Sequence, residues 1–504
     1  LKLAAVLCAL GAAPAISQAP VESFEPIESV APFDALEAPD AGTVESFDAP
    51  EPVATVRVYG RALGFGSLDT RFESPRGAAY AENVAEGRLK VLLGLDAKLS
   101  SHLRVVVEGR AQVRLVTQRD FDRAKGFFEP LLGDAYADLY TPRVDLRVGN
   151  QRVVLGANAG LAPADVLNPR DLRESLMAGE PEDALLPVFA LRAQGEWAHL
   201  RWLAVYVPFF TPHRFFVFGQ DEALLQPQAA PSFSSSRIDP SIEDVIQERL
   251  LETKRPAPFL GDVALSVVRE GPVTLGASWV WMNEKLPRFT LDPELSRVLA
   301  SQVSGRGDDA AFVSVLNRAR AGETLATGTY SRSHVFSLQA SALVGPGQLD
   351  VDLAYSPRQT FVDPDFRPVD KAVVTWVVGF SQASDSPLLY QVAYLGLLVP
   401  DVPAALQLIL LEPATAVGAD RTAVLHLFTG LIGYAWFDKK LELSLRAAFE
   451  PIQLSFAAGP RVSYALTDHV KAWGAGEFYV GPQWSPLGYF SRNNKVLLGA
   501  TVEF

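Results

Sequence analysis

From residue 53 onward, apolar and polar side chains alternate in runs of about ten residues. The clearest run is 88–99, where Leu89, Val91, Leu93, Leu95, Ala97 and Leu99 alternate with Arg88, Lys90, Asp96 and Lys98. Residues 103–116 repeat it, with Leu103, Val105, Val107, Gly109, Ala111, Val113 and Leu115 set against Arg104, Glu108, Arg110, Gln112 and Arg114. A period of two places alternate side chains on opposite faces of a strand. The pattern predicts eighteen strands, near 53–65, 88–99, 103–116, 134–141, 144–155, 188–197, 200–209, 261–270, 273–282, 333–344, 348–357, 371–381, 387–398, 421–437, 440–450, 453–467, 469–481 and 493–504. Sixteen is the alternative count, because 134–141 is short and the connection at Glu450-Pro451 is short for an outer loop.

One such strand fits a soluble sandwich with its apolar face inside or a membrane barrel with its apolar face outside. The rhythm of the connections separates them. Short turns near Ser101, Pro142, Trp197, Gly271, Gly345, Asp385, Asp438 and Asp468 each follow an even-numbered strand. Long connections near 66–87, 117–133, 156–187, 210–260, 283–332, 358–370, 399–420 and 482–492 follow the odd ones. Transmembrane barrels have this asymmetry, and the parity places both ends of the barrel on the short-turn, periplasmic side. In the longest connections, 239–251 and Asp292–Ala300 each start with an acid followed by Pro, the pattern of a capped helix. Aromatic residues gather near strand ends, as interfacial girdles require: Trp279 and Trp281, the Phe-rich stretch 209–218, Trp436 and Phe437.

The last strand, Lys495 to Phe504, carries Val496, Leu498, Ala500, Val502 and Phe504 on one face. An unpaired apolar edge invites aggregation, whereas a closed barrel pairs its last strand with its first. The ending resembles the C-terminal signature of bacterial outer-membrane barrels. That resemblance implies Phe504 as an assembly signal and the outer-membrane assembly machinery as a partner, with membrane lipid around the wall. The fold class expected is therefore all-β: a transmembrane antiparallel barrel of a Gram-negative outer membrane.

Composition narrows this further. The chain is 48% hydrophobic, yet beyond the extreme N-terminus no run of about 18 apolar residues suggests a membrane helix. Residues 1–19 read as a signal peptide, with Lys2 ahead of an apolar run that contains Cys8, the single cysteine. Residues 20–52 hold nine acids and no Lys or Arg, and residues 1–19 hold Lys2 alone, so of the chain's net charge of −13 only −5 (−13 + 9 − 1) remains for 53–504. That Pro- and Ala-rich segment is expected to be a disordered periplasmic leader. Its repeat, Val21-Glu-Ser-Phe-Glu and Val44-Glu-Ser-Phe-Asp, leaves open a docking motif for a periplasmic export partner. It is too short and acidic for the folded plug of an energy-coupled transporter. The acidic balance points away from nucleic acid.

For chemistry, the sequence offers no nucleotide loop, cysteine ligand set or metal spacing, and nothing selects a catalytic group among its six histidines. No enzyme, cofactor or metal is expected. The informative residues are those on the polar face. Lys90, Lys98, Arg104, Glu108, Arg110, Arg114, Arg147, Arg192, Arg201, Arg446 and Lys471 are expected to line the pore. Asp96, Asp145, Asp350, Asp352, Glu442 and Glu477 share that face. Arginine rings favour anions, while mixed charge gives weak selectivity or simply braces the lumen. After Arg147-Val-Gly-Asn-Gln151, the stretch Asp165-Val-Leu-Asn-Pro-Arg-Asp-Leu-Arg173 reads as a loop with a short helix capped by Asn168. Asn168, Arg170, Asp171 and Arg173 are the candidate constriction.

Residues 144–173 resemble a widespread group of large bacterial outer-membrane barrels of uncharacterised function. In that group a Gly-x-Gln strand end precedes an Asp-x-x-Asn-Pro-x-Asp-Leu loop; the group's Trp before Gly is Leu155 here. The strand count and basic lumen are also similar to those of alginate-export barrels. The reading is a monomeric outer-membrane channel for a hydrophilic solute or polymer, an anionic one if the arginines act as a stripe. The alternatives are a dedicated exopolysaccharide export porin and a structural or adhesive barrel with a closed lumen.

Overall fold

The structure is a computed structural model. It describes residues 54–504 except 71–82, 119–122, 159–160, 176, 180, 217–220, 224–250, 304–308, 364–366, 383–385, 404–405, 407–411, 418–419 and 483–484. The signal peptide, the leader 20–52 and the helix expected over 239–251 lie outside these residues, apart from Leu251.

Eighteen strands form the wall. They are β1 (Thr55–Asp69), β2 (Asn83–Ser100), β3 (Leu103–Gln118), β4 (Arg123–Tyr140), β5 (Asp145–Gln151), β6 (Val188–Trp197), β7 (Leu200–Val207), β8 (Asp262–Arg269) and β9 (Val273–Asn283). Then follow β10 (Arg332–Val344), β11 (Gly347–Val362), β12 (Pro368–Gln382), β13 (Leu388–Pro403), β14 (Asp420–Trp436), β15 (Leu441–Glu450), β16 (Ser455–Ala465), β17 (Val470–Val480) and β18 (Lys495–Glu503). Each pairs antiparallel with its neighbours in sequence, and β18 returns to β1 from Asp69↔Lys495 to Arg61↔Glu503. Phe504 completes the seam: its N–H donates to Gly60 O at 3.0 Å and its carbonyl accepts from Gly60 N at 2.8 Å. Its ring also covers Gly60, where a Cβ would stand 2.5 Å from it. A nineteenth strand, Glu412–Val417, pairs among the described residues with the start of β14 and is not part of the wall circuit.

The faces are inverted relative to a soluble protein. Leu93 and Leu498 are 53% and 74% exposed, while the neighbouring inward residues Gly94 and Leu497 are buried. A continuous exposed apolar wall with polar groups inside is stable only against lipid. The aromatic belts complete it. Trp279, Trp281, His334 and Phe336 stack on the outer face toward the long-loop end. Trp197 and Phe437 are exposed at short turns of the other end. The protein is an outer-membrane β-barrel.

Several strands extend four or five residues beyond the expected boundaries, with β1 running to Asp69, β2 starting at Asn83, β11 running to Val362 and β13 to Pro403, because pairing continues past the alternating pattern; two further boundaries need correction. Residues 123–133, assigned above to a loop, are the first half of β4. Pro130 and Gly133-Asp134 read as turn residues in isolation. The structure pairs Pro130 with Ala111 and puts Gly133-Asp134 in a bulge opposite Glu108. Strand β5 stops at Gln151, not near 155, because the chain leaves the wall there and enters the barrel.

The extracellular connections carry their own structure. Strands Leu251–Lys254, Arg288–Leu291 and Ala326–Thr329 form a three-stranded sheet. Helices Pro293–Val303 and Asp309–Arg320 lie beside it in sequence, the first at the site its Asp-Pro start predicts. Asp292 Oδ1 accepts from Glu294 N at 3.0 Å, and Arg318 clasps Asp292 and Glu294 from the second helix.

Candidate functional site: residues 152–187 inside the lumen

The inward turn begins at two glycines with positive φ. Gly149 has φ 137°, and a Cβ there would meet Ala135 O at 2.3 Å; Gly156 has φ 105°, and a Cβ would meet Ala162. Arg152 holds the departing chain to Asp134. Val153, Leu155, Ala164 and Leu167 then pack on inward residues of β6 to β11, including Val188, Val205, Val280 and Val335.

The segment next reaches the far wall. Asp352 of β11, 1% exposed, accepts from Ala157 N at 3.0 Å and from Asn158 N and Nδ2 at 2.8 and 2.7 Å. Asn158 occupies the space that a side chain at Gly379 of β12 would fill. Returning, Leu161, Leu172 and Met177 enter a second apolar cluster with Leu395 and Leu397 of β13 and Leu425 and Leu427 of β14. Glu477 of β17 accepts from Ser175 Oγ at 2.5 Å and Met177 N at 2.9 Å. Arg446 of β15 donates to the carbonyls of Met177 and Gly179.

The polar side of the segment meets the first strands. Glu174 accepts from Arg88 at 2.7 Å and Lys90 at 2.8 Å. Asp183 pairs with Arg61 at 2.5 Å and Lys90 at 3.1 Å. Burial alone would raise the Asp183 carboxyl; Lys90, Arg61 and Arg110 hold it below the usual carboxylate range instead. Residues 152–183 therefore bond to strands on opposite sides of the barrel.

The candidate constriction residues lie within this segment, but without the expected helix. Asn168 caps nothing: its Oδ1 accepts from Val153 N at 3.2 Å and its Nδ2 donates to Val153 O at 2.9 Å. The side chain acts as a pseudo-strand partner, so no helix starts at Pro169. Arg170 meets Asp165 at 3.4 Å, and burial pushes that carboxyl up to about 6 against the pull of Arg170. Arg170 N donates to His213 Nδ1 at 2.7 Å. Burial, then Arg170 and Lys285, lower His213 to about 3, so the ring is neutral. Asp171 accepts from Arg173, which also grips Glu129 of β4 at 2.6 Å. Above them an open cavity of about 520 Å³ lies between Glu129, Arg173, His213, Arg214, Thr253 and Tyr330.

The residues expected to line the pore divide into two groups. Lys90, Arg114 and Arg446 belong to the segment's surroundings, with Arg114 donating to Glu86 at 2.9 Å and Arg110 meeting Glu108 at 3.2 Å just below. Tyr59 also donates to Glu108, at 2.8 Å. The others lie toward the short-turn end, away from it. There Arg104 pairs with Asp96, Arg147 with Asp138, Arg201 with Glu270 and Lys471 with Glu442. Arg192 donates to Gln194, and Lys98 is exposed opposite Arg104.

Arg61, Arg88, Lys495, Glu86, Glu174, Asp183 and Asn158 were missed. Arg88 lies on the polar face of β2 and was legible there, whereas Glu86 fell in the stretch 66–87 expected as a loop. Nothing local marks Glu174 or Asp183. A further signal lay in β13 and β14, where Val392–Val399 and Ala423–Phe428 are almost unbroken apolar runs. A strand apolar on both faces is covered on both.

This geometry defines the class: an eighteen-strand outer-membrane barrel with an inward segment that bonds to strands on opposite sides of its lumen. No known protein family and no curated protein matches the sequence. Among solved structures the chain is similar to OccAB1 of Acinetobacter baumannii, with TM-score 0.44, 8% identity, and 90% of this chain and 96% of that one covered. It is also similar to OccK2 (OpdF) of Pseudomonas aeruginosa, with TM-score 0.43, 10% identity, and 89% and 97% covered. A third is the outer membrane channel DcaP of Acinetobacter baumannii, with TM-score 0.37, 9% identity, and 90% and 97% covered. The barrel assignment rests on the strand pairing itself.

Proposed function

We propose that the protein is an outer-membrane channel for small hydrophilic solutes, with residues 152–187 as its constriction. The observation that carries this is the bridge across the lumen: Asp352 holds Asn158 on one side, while Arg61, Arg88 and Lys90 hold Asp183 and Glu174 on the other.

For an anionic solute, the bases nearest water are the ones to test. Arg104 and Asp96 are each about a quarter exposed, so the pair is partly solvated. Because nearly every base has an acid beside it, we expect weak anion preference. An anionic polymer, as in exopolysaccharide export, needs the segment to leave the lumen. A closed structural barrel is the second reading, and the apolar packing of Leu161, Leu172 and Met177 against β13 and β14 favours it. We take the chain as a monomer assembled through Phe504, with the leader 20–52 as the place for a periplasmic partner.

Planar-bilayer recording tests these readings. Wild type should show small unitary conductance, rising several-fold in Glu174→Gln/Asp183→Asn. Reversal potentials in a salt gradient, with Arg104/Arg110/Arg114→Gln as comparison, read selectivity. Unchanged conductance in the double variant would remove the constriction role. No conductance after deletion of 157–183 would establish the closed barrel.

A further inference from the structure

The outer wall carries a cation at the extracellular edge of its apolar band. Arg332 opens β10 on the lipid-facing side, the side of His334, Phe336 and Leu338. Its guanidinium carbon lies 3.8 Å from the centre of the Trp281 ring of β9. Nη2 donates to the carbonyls of Leu260 and Gly261 at 2.5 and 2.6 Å, and Nε donates to Asn283 Oδ1 at 3.3 Å. Among the described residues, no hydrogen bond engages Nη1 and no carboxylate lies within ion-pair distance of Arg332.

The charge is not balanced one step further away. Asn283 Nδ2 donates to Asp262 at 2.9 Å, but Asp262 is already neutralised by Lys285. On the strands that follow, Asp370 is shared by Arg288 and Arg358, at 2.9 and 2.7 Å. Glu284, just past β9, accepts from Thr360 N at 3.1 Å, and burial pushes its carboxyl up to about 7 against the hydrogen bonds from Thr360. Four bases therefore face three acids here even with Glu284 ionised, so the group calls for an anion from outside the chain.

The surroundings say what kind of anion. Phe259 and Leu260, both exposed, flank Arg332 at the rim. One step toward the midplane, His334 Nδ1 accepts from Trp279 Nε1 at 3.2 Å, so the neutral ring carries its proton on Nε2. Below it, Phe336 and Leu338 continue the face as an exposed apolar track. A cation at the rim above such a track matches an anionic headgroup with acyl chains beneath it. The long-loop end of a Gram-negative barrel faces the leaflet built from phosphorylated, acylated sugars.

We propose that Arg332 anchors a phosphate of this outer-leaflet glycolipid, with an acyl chain lying on Phe336 and Leu338. A guanidinium binds phosphate through paired N–H groups. Trp281 and the two carbonyls hold its plane before the lipid arrives, so little side-chain freedom is lost on binding. The anchor rests on the strand pairing and the orientation of the barrel, and is independent of whether the lumen conducts.

The test uses the full chain refolded without lipid in detergent micelles. Native mass spectrometry counts bound diphosphorylated lipid A, its dephosphorylated form and phosphatidylglycerol. Wild type should hold one lipid A about tenfold or more tighter than either of the others, the scale of a hydrogen bond to a charged group. Arg332→Gln should lose most of that preference. Arg332→Lys should keep part of it, since lysine retains the charge without the planar fork. Arg269→Gln, exposed at the short-turn end of β8, should bind as wild type does. Heat-modifiable gel mobility shows whether each variant has folded, and the comparison of lipids on wild type needs no variant. Equal binding of the three lipids by wild type, unchanged preference in folded Arg332→Gln, or an equal loss in Arg269→Gln would each overturn the anchor.

Discussion

At the scale of single residues, the wall depends on which side of a strand a charge occupies. Leu93 and Val107 point to lipid and are 53% and 45% exposed, whereas Arg110 points inward onto Glu108. An arginine at the lipid face near the midplane costs ~2–4 kcal/mol. Leu93→Arg and Val107→Arg should therefore fail to fold into vesicles, or unfold at markedly lower urea. Arg110→Gln should cost much less, because Tyr59 and Asp134 N still donate to Glu108. Heat-modifiable gel mobility across a urea series measures both. The opposite ranking would place the apolar face inside.

At the scale of elements, the strands are held by their neighbours, but the extracellular helix Pro293–Val303 has local control. Its cap, Asp292, is held below the ordinary carboxylate range first by hydrogen bonds from Arg318 and then by Glu294 N–H. A lowered carboxyl contributes stability that is full above its ordinary value and disappears as pH falls into the acid range. Replacing an N-cap acid by alanine costs about 0.5–2 kcal/mol. Asp292→Ala should speed amide exchange across 293–303 and leave β9 and β10 unchanged. In wild type, the same protection should fade only in acid. Equal exchange in the variant and wild type would show that the sheet beside the helix, and not its cap, holds it.

At the scale of the molecule, the odd–even rhythm of connections sets the orientation. A tag inserted at Gly322, whose φ of 86° marks an open turn, should be reached by protease on intact cells. A tag in the turn Asp438-Lys439, at the short-turn end, should be cut only after the outer membrane is permeabilised. Reversed access would invert the barrel.

The strand number, the parity of turns and the lipid-facing side were all legible along the chain. Each depends on a period of two, which a strand expresses locally whatever lies beyond it. The helix at Pro293 was legible for the same reason, since an acid before proline acts within one turn. The contents of the lumen were not. Asn168 has the local credentials of a helix cap, yet Val153, fifteen positions earlier, takes both ends of its amide. Glu174 and Asp183 become a bridge only because β1 and β2 bring Arg61, Arg88 and Lys90 to face them. Gly149 and Gly156 permit the inward turn, but its destination is set by Asp352, about two hundred residues along the chain. Periodicity reports which face a residue is on. Only closure of the sheet decides what stands opposite that face, because the partners are distant in sequence and are chosen by the circumference of the barrel.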